Sequence, residues 1–141
     1  MQKRHLNLNH LFLGDCATLL SEMPDESVDL IVSSPPYNIG KEYENRSPLN
    51  IYLAEQEKII TECYRVLKKT GSIFWQVGSY SNNGTLTPLD IKFFPIFEKM
   101  GMFPINRIVW LRQHGLQAKN KYSCRHETIL WFSKTMDYKF N

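Results

Sequence analysis

Ser34-Pro35-Pro36-Tyr37 follows, after Ser33, on Val28-Asp29-Leu30-Ile31-Val32, a β-branched and nearly all apolar run. Such a run reads as a central strand of a parallel sheet. Prolines cannot continue a central strand, so the chain must leave the sheet at that strand's carboxyl end, where open α/β sheets place their ligands. Two consecutive prolines fix an extended backbone and remove two N–H donors. What is left is a rigid row of carbonyl acceptors, a serine hydroxyl and an aromatic ring. That set suits an exocyclic amine of a nucleobase, a poor nucleophile because its lone pair is delocalised into the ring. Two acceptors aimed at the amine hydrogens, the Ser34 side chain and the Pro35 carbonyl, would favour a more tetrahedral nitrogen. Its lone pair would then be held toward an incoming methyl group. Tyr37 would stack on the base, a contact worth roughly 1–3 kcal/mol. The target atom is inaccessible inside a duplex, so the base must be flipped out. The bare tetrapeptide also describes a Pro-Pro turn with a buried tyrosine, and the surrounding sequence has to decide.

The elements around it alternate as in α/β proteins. Leu11-Phe12-Leu13 reads as a short strand ending at Gly14-Asp15, and Ala17 to Met23 as a short helix. Pro24 to Ser27 is a turn. Residues 38 to 49 read as a polar loop. Apolar positions at helical spacing from Ile51 to Lys69 predict a helix, with Lys68 and Lys69 at its negative end and Gly71 just past it. Ser72 to Val77 is a strand, followed by Gly78-Ser79 and a polar loop. Pro88 opens a helix running to Met100, with a kink or break expected at Pro95. Ile105 to Leu111 and Glu127 to Ser133 are strands without an intervening helix, so they should be antiparallel neighbours at one sheet edge. Between them lies a polar, basic segment, 113 to 126, with a lone Gly115.

The 141 residues are 43% hydrophobic and 13% aromatic, enough for a core. The net charge of +3 says little, but Arg112, Lys119, Lys121, Arg125, Lys134 and Lys139 face only Glu127 and Asp137 in their stretch. That segment is able to track phosphate, or to be a solvated face. The three cysteines, Cys16, Cys63 and Cys124, show neither a metal pattern nor a disulfide framework. No apolar run reaches membrane-spanning length, and the polar Met1 to His10 lacks a secretion signal's apolar stretch. A cytoplasmic protein is expected.

Gly14-Asp15-Cys16, Leu19-Leu20 and Pro24 through Tyr37-Asn38 closely resemble the opening of bacterial N4-cytosine and N6-adenine DNA methyltransferases. The motif order is that of their beta group. Cys63 to Lys68 with Gly71-Ser72, Trp75 to Gly78, and Arg125-His126-Glu127 to Phe132 agree as well, so the resemblance covers Gly14 to Lys134. It implies a partial, Rossmann-like, S-adenosylmethionine-dependent methyltransferase sheet over residues 1–141, mostly parallel with an antiparallel edge hairpin and lacking the first two strands. It also implies a catalytic loop of Ser34, Pro35, Pro36 and Tyr37, with Tyr37 on the flipped base. Asp15 resembles an acidic residue that contacts the adenine of S-adenosylmethionine, and is equally suited to cap the helix after it. Asn38 and Tyr43 would shape the pocket. Gly78 would keep backbone clear of the base or cofactor, or simply make a turn. His126 and Glu127 tempt toward acid–base chemistry. A structural role at the strand start is the preferred reading, because the amine proton can leave once the nitrogen is cationic.

The family's glycine-rich cofactor turn, aromatic-x-Gly-x-Gly, is absent: the seven glycines include no Gly-x-Gly. In the family's sheet the strands that go with that turn separate the strand ending at Asp15 from the one ending at Ser33. Without them Val28 to Val32 becomes an exposed edge, which invites pairing. The expectation is a fragment or split subunit of a duplex-DNA methyltransferase, completed by a second chain or a C-terminal half. Ser34 leans toward cytosine N4, where aspartate would lean toward adenine. An RNA or protein-glutamine methyltransferase would carry asparagine before the prolines. An inactive remnant that only binds DNA or a partner chain is the alternative from another class.

Overall fold

The computed structural model of the chain describes residues 9–113 and 119–140. Most of the polar N-terminal stretch and the lone Gly115 lie outside them. Asp15 caps the first helix, α1 (Cys16–Glu22), its side chain accepting from the Thr18 backbone N–H. A turn leads into β1 (Val28–Ser33). Helix α2 (Leu49–Val66) buries Tyr52, Gln56, Ile60, Cys63 and Val66, the three-and-four spacing of one helical face. It ends three residues earlier than the apolar spacing predicts. The backbone N–H groups of Glu26 and Ser27 capture the carbonyls of Arg65 and Val66, and Leu67 already pairs with Val28. Chain direction therefore switches straight into β2 (Leu67–Val77). Gly71 is thus not a helix-terminating residue. It lies within β2, where a Cβ would stand 3.0 Å from the Asp29 carbonyl oxygen and 2.7 Å from Leu67 Cδ1. Lys68 likewise lies beyond the helix and pairs with Asp29 at 2.6 Å.

The loop expected after Gly78 is instead a hairpin, β3 (Ser79–Asn82) and β4 (Thr85–Pro88). Asn83 and Gly84 turn it with φ of 48° and 80°, the two positive values a tight two-residue turn needs. Helix α3 (Leu89–Lys99) then runs through Pro95 without a break. The carbonyl that Pro95 leaves unpaired belongs to Ile91, an exposed position where water can satisfy it. Strands β5 (Phe103–Leu111) and β6 (His126–Ser133) complete the set.

The sheet order is β1-β2-β6-β5. β1 and β2 are parallel, and β6 runs antiparallel to both β2 and β5. Three of these four strands therefore point one way, and the antiparallel hairpin sits at one edge as expected. Helices α2 and α3 cover one face. There Trp75 meets Phe93 and Phe97, with ring centroids 6.0 and 5.9 Å apart, and Phe97 stacks on Phe132 at 4.7 Å. Burial in this core pushes the Cys63 thiol up to about 12. All three cysteines are free.

The opposite face and edge are open. Val32 pairs with Phe74, and Phe74 with Trp131, so the three side chains share a face. Phe74 stacks on Trp131 at 5.0 Å, and Trp131 is covered by Tyr138 and Phe140. Leu30 and Val32, however, are 55% and 72% exposed. Leu11-Phe12-Leu13 forms no strand, and all three residues are exposed. A strand exists through its ladder to a neighbour, and no described strand lies beside this one. Among the described residues no helix is long and apolar enough to cross a membrane.

Candidate active site

The strand β1 delivers Ser34 through Tyr37 to its carboxyl end, as the sequence predicts. Ser34, Pro35, Pro36 and Tyr37, together with Tyr43, line an open cavity of about 430 Å³. Pro35 is buried, Tyr37 is half-buried and Ser34 is exposed. Tyr37 is therefore not locked in the core: its ring borders the cavity while its hydroxyl is anchored. The anchor is a cluster the sequence did not reveal. Tyr37 donates to Glu127 Oε2 at 3.1 Å and stands 3.2 Å from Ser34 Oγ. Gln76 Nε2 donates to the same Glu127 oxygen at 2.6 Å. Arg112 pairs with the other at 3.1 Å. Burial is the main cause that pushes the Tyr37 phenol above its ordinary value, and the Glu127 carboxylate adds to it.

The proline carbonyls are not equivalent. Tyr52 of α2 donates to the Pro36 carbonyl at 2.6 Å, so the uniform row of acceptors expected from the sequence is one short. The loop that carries Tyr43 is clasped shut. Glu44 accepts the backbone N–H groups of Asn38 at 2.7 Å and Ile39 at 2.9 Å. Asn38, buried and with φ 59°, exchanges two 2.8 Å bonds with the backbone of Ser47. Asparagine tolerates that left-handed conformation better than most residues. Tyr43, 75% exposed, is carried by this hydrogen-bonded loop to the side of the cavity. Beneath the Tyr37 ring lies Gly78, buried, where a Cβ would stand 3.0 Å from Tyr37 Cε2.

Asp15 caps α1 through Oδ1, which accepts from both Thr18 N and Thr18 Oγ1 at 2.9 Å. The Thr18 backbone N–H is the main cause that lowers its carboxyl. Its neighbour Cys16 and Ser33 line a second hollow of about 370 Å³ along the open flank of β1, together with apolar residues such as Leu20, Leu30 and Val32. Glu127 stands at the start of β6 and binds Tyr37 as well as Gln76 and Arg112. His126 is exposed. Of the six basic residues of the C-terminal stretch, Arg112, Lys134 and Lys139 turn to Glu127, Glu26 and Asp29. Lys119, Lys121 and Arg125 are exposed. Among the described residues no cluster could hold a metal ion.

The N6/N4 DNA methylase family matches residues 28–141. The chain belongs to that family of amino-methyltransferases. It is 60% identical over 139 residues to the type II methyltransferase M.BglII of Bacillus subtilis, covering 98% of this chain and 38% of that protein. It is 31% identical to M.ScaI of Streptomyces caespitosus, covering 93% of this chain and 43% of that protein. Among solved structures, a protein described as a DNA modification methylase of Thermus thermophilus, in complex with S-adenosyl-L-methionine, superposes with a TM-score of 0.73 at 25% identity. The match covers 92% of this chain and 56% of that one. The PvuII cytosine-N4-specific methyltransferase shares the fold, with a TM-score of 0.76 at 22% identity over 90% of this chain and 49% of that one. The chain spans about two fifths of the length of these curated relatives.

The described residues fit S-adenosylmethionine only in part. Asp15 already uses one carboxylate oxygen as a cap, the hollow beside it is mainly apolar, and no Gly-x-Gly turn occurs in the sequence. These residues alone do not make a site for it.

Proposed function

We propose that this chain is the catalytic half of a site-specific DNA methyltransferase acting on the exocyclic amine of a base flipped out of duplex DNA. The observation that carries the reading is the cavity at the end of β1. Ser34, Pro35, Pro36 and Tyr37 line it side by side, in a chain that belongs to the N6/N4 family. Ser34 and Pro35 accept the amine hydrogens and turn the nitrogen lone pair outward. Tyr37 stacks on the base, and Tyr43 shapes the pocket from the side. Methylation leaves the nitrogen cationic, so its proton departs without a buried base. S-adenosylmethionine supplies the methyl group and is held mainly by the part that the longer relatives possess, with Asp15 reaching it from this side. Residues 1–141 then form part of one domain, working in the cytoplasm on duplex DNA. Cytosine N4 is the favoured target because serine, not aspartate, opens the tetrapeptide.

The test replaces the matching region of M.BglII with this chain and follows radioactive methyl incorporation into DNA. Tyr37→Ala and Ser34→Ala should each abolish transfer, and near-normal transfer in either would reject the assigned roles. A non-catalytic remnant that binds only DNA or a partner is the second reading. A chimera that folds and binds DNA but never transfers methyl would support it.

A further inference from the structure

We propose that Glu127 sets the direction of a hydroxyl relay, so that Ser34 presents lone pairs rather than its proton to the cavity. This rests on the reading of the cavity given above. A phenol has one proton, and Tyr37 donates it to Glu127 Oε2 at 3.1 Å. A carboxylate can only accept. The 3.2 Å contact between Tyr37 and Ser34 must therefore run from the serine hydroxyl to the tyrosine oxygen. The single Ser34 proton then points along the relay, and its lone pairs are left for an amine hydrogen.

Glu127 is suited to this role because, among the described residues, the hydrogen-bond and ion-pair partners of its carboxylate are donors. Gln76 reaches the oxygen that Tyr37 also uses, at 2.6 Å, and Arg112 lies 3.1 Å from the other. The Glu127 side chain is 13% exposed, so water competes little for these bonds. A group at that position able to donate would reverse both hydroxyls and turn a proton at the substrate. Glu127 touches no base itself. It is a positioning residue that acts through Tyr37.

The experiment uses the M.BglII chimera carrying this chain. In Glu127→Gln the amide oxygen stays on Arg112 and the amide N–H2 turns to Tyr37 and to Gln76, whose own amide flips to accept, reversing the relay. The kcat should fall by about 10²-fold, the scale of losing one preorganised polar contact to the reacting group. KM for S-adenosylmethionine should stay unchanged. Tyr37→Phe cuts the relay but keeps the ring, so Glu127→Gln added to Tyr37→Phe should cost nothing further. Losses that multiply, or parental kcat in Glu127→Gln, would overturn the relay. A second readout does not need turnover: with tyrosine labelled by carbon-13 at Cζ, Glu127→Gln should lower the Tyr37 titration midpoint. An unchanged midpoint overturns the relay even if no methyl is transferred. Full activity of Tyr37→Ala would instead overturn the cavity reading. An inactive Tyr37→Ala beside a parental Glu127→Gln would overturn the relay alone.

Discussion

Gly78 lies against the ring of Tyr37, so closely that a Cβ there would stand 3.0 Å from Cε2 and 3.3 Å from Cδ2. The ring is held at its other end by Glu127 and Ser34, so it can yield only by swinging toward the cavity. Gly78→Ala should shift the ring by a few tenths of an ångström and lower methyl transfer by roughly tenfold, since misplacement by ~1 Å can cost about 10²-fold. Thermal stability should fall modestly, by the roughly 1 kcal/mol of mild overpacking, since no left-handed backbone is strained. A parental transfer rate would show that the ring position does not matter.

The Tyr37 phenol also makes stability depend on alkaline pH. Burial raises its pKa above the ordinary tyrosine value. The folded state therefore prefers the neutral ring. That contribution is fully present below the unfolded value of about 10 and is lost as pH rises through the folded one. Comparing urea unfolding of the parent and Tyr37→Phe should give a constant difference up to about pH 9. Above that the parent should lose ground. A difference that is flat through the whole alkaline range would contradict the assignment.

A second ion pair fixes the hairpin edge to the helical layer. Arg107 of β5 donates from Nε to Asp90 at 2.9 Å, and the Asp90 side chain is only 6% exposed. Asp90 stands in the first turn of α3, where the helix dipole also favours its charge. Arg107 is 51% exposed, so the full cost of breaking a buried pair does not apply. Arg107→Ala should destabilise by about 2 kcal/mol, below the roughly 3–5 typical of fully buried pairs. Adding Asp90→Asn should recover part of that loss. Chemical denaturation of the single and double variants measures both.

The open flank of β1 predicts behaviour in solution. Leu30 and Val32 are exposed on an edge strand, an arrangement that favours association. The chain alone should sediment as concentration-dependent oligomers, and Val32→Lys should shift it toward monomer. The same substitution should impair assembly of the M.BglII chimera. Monomeric behaviour of the unaltered chain at high concentration would show that the edge is protected in another way.

Local signals were legible and distant ones were not. The apolar spacing of α2 and the proline stop after β1 needed only neighbouring residues; both elements are found, though α2 gives way to β2 three residues early. Asn83-Gly84 carried a plain hairpin signal inside a stretch whose polarity reads as loop. Leu11-Phe12-Leu13 has a strand's composition but no partner, and a strand's existence depends on its partner. Gly71 sits where a helix stop looks natural, yet its reason is a close approach to Asp29 across two strands. The tetrapeptide of the site was readable. Its support was not, because Glu127 lies 90 residues from Tyr37 and only the antiparallel return of β6 brings them together. Tyr52 on the Pro36 carbonyl is a similar case, a helix side chain reaching back to the loop before it.

Mass spectrometry of nucleosides from DNA treated with the M.BglII chimera tests the central claim most directly. The account predicts a base methylated on its exocyclic amine, N4-methyldeoxycytidine, and none of it when Ser34 or Tyr37 is replaced by alanine. Methylation at a ring carbon, or an unchanged yield in both alanine variants, would contradict it.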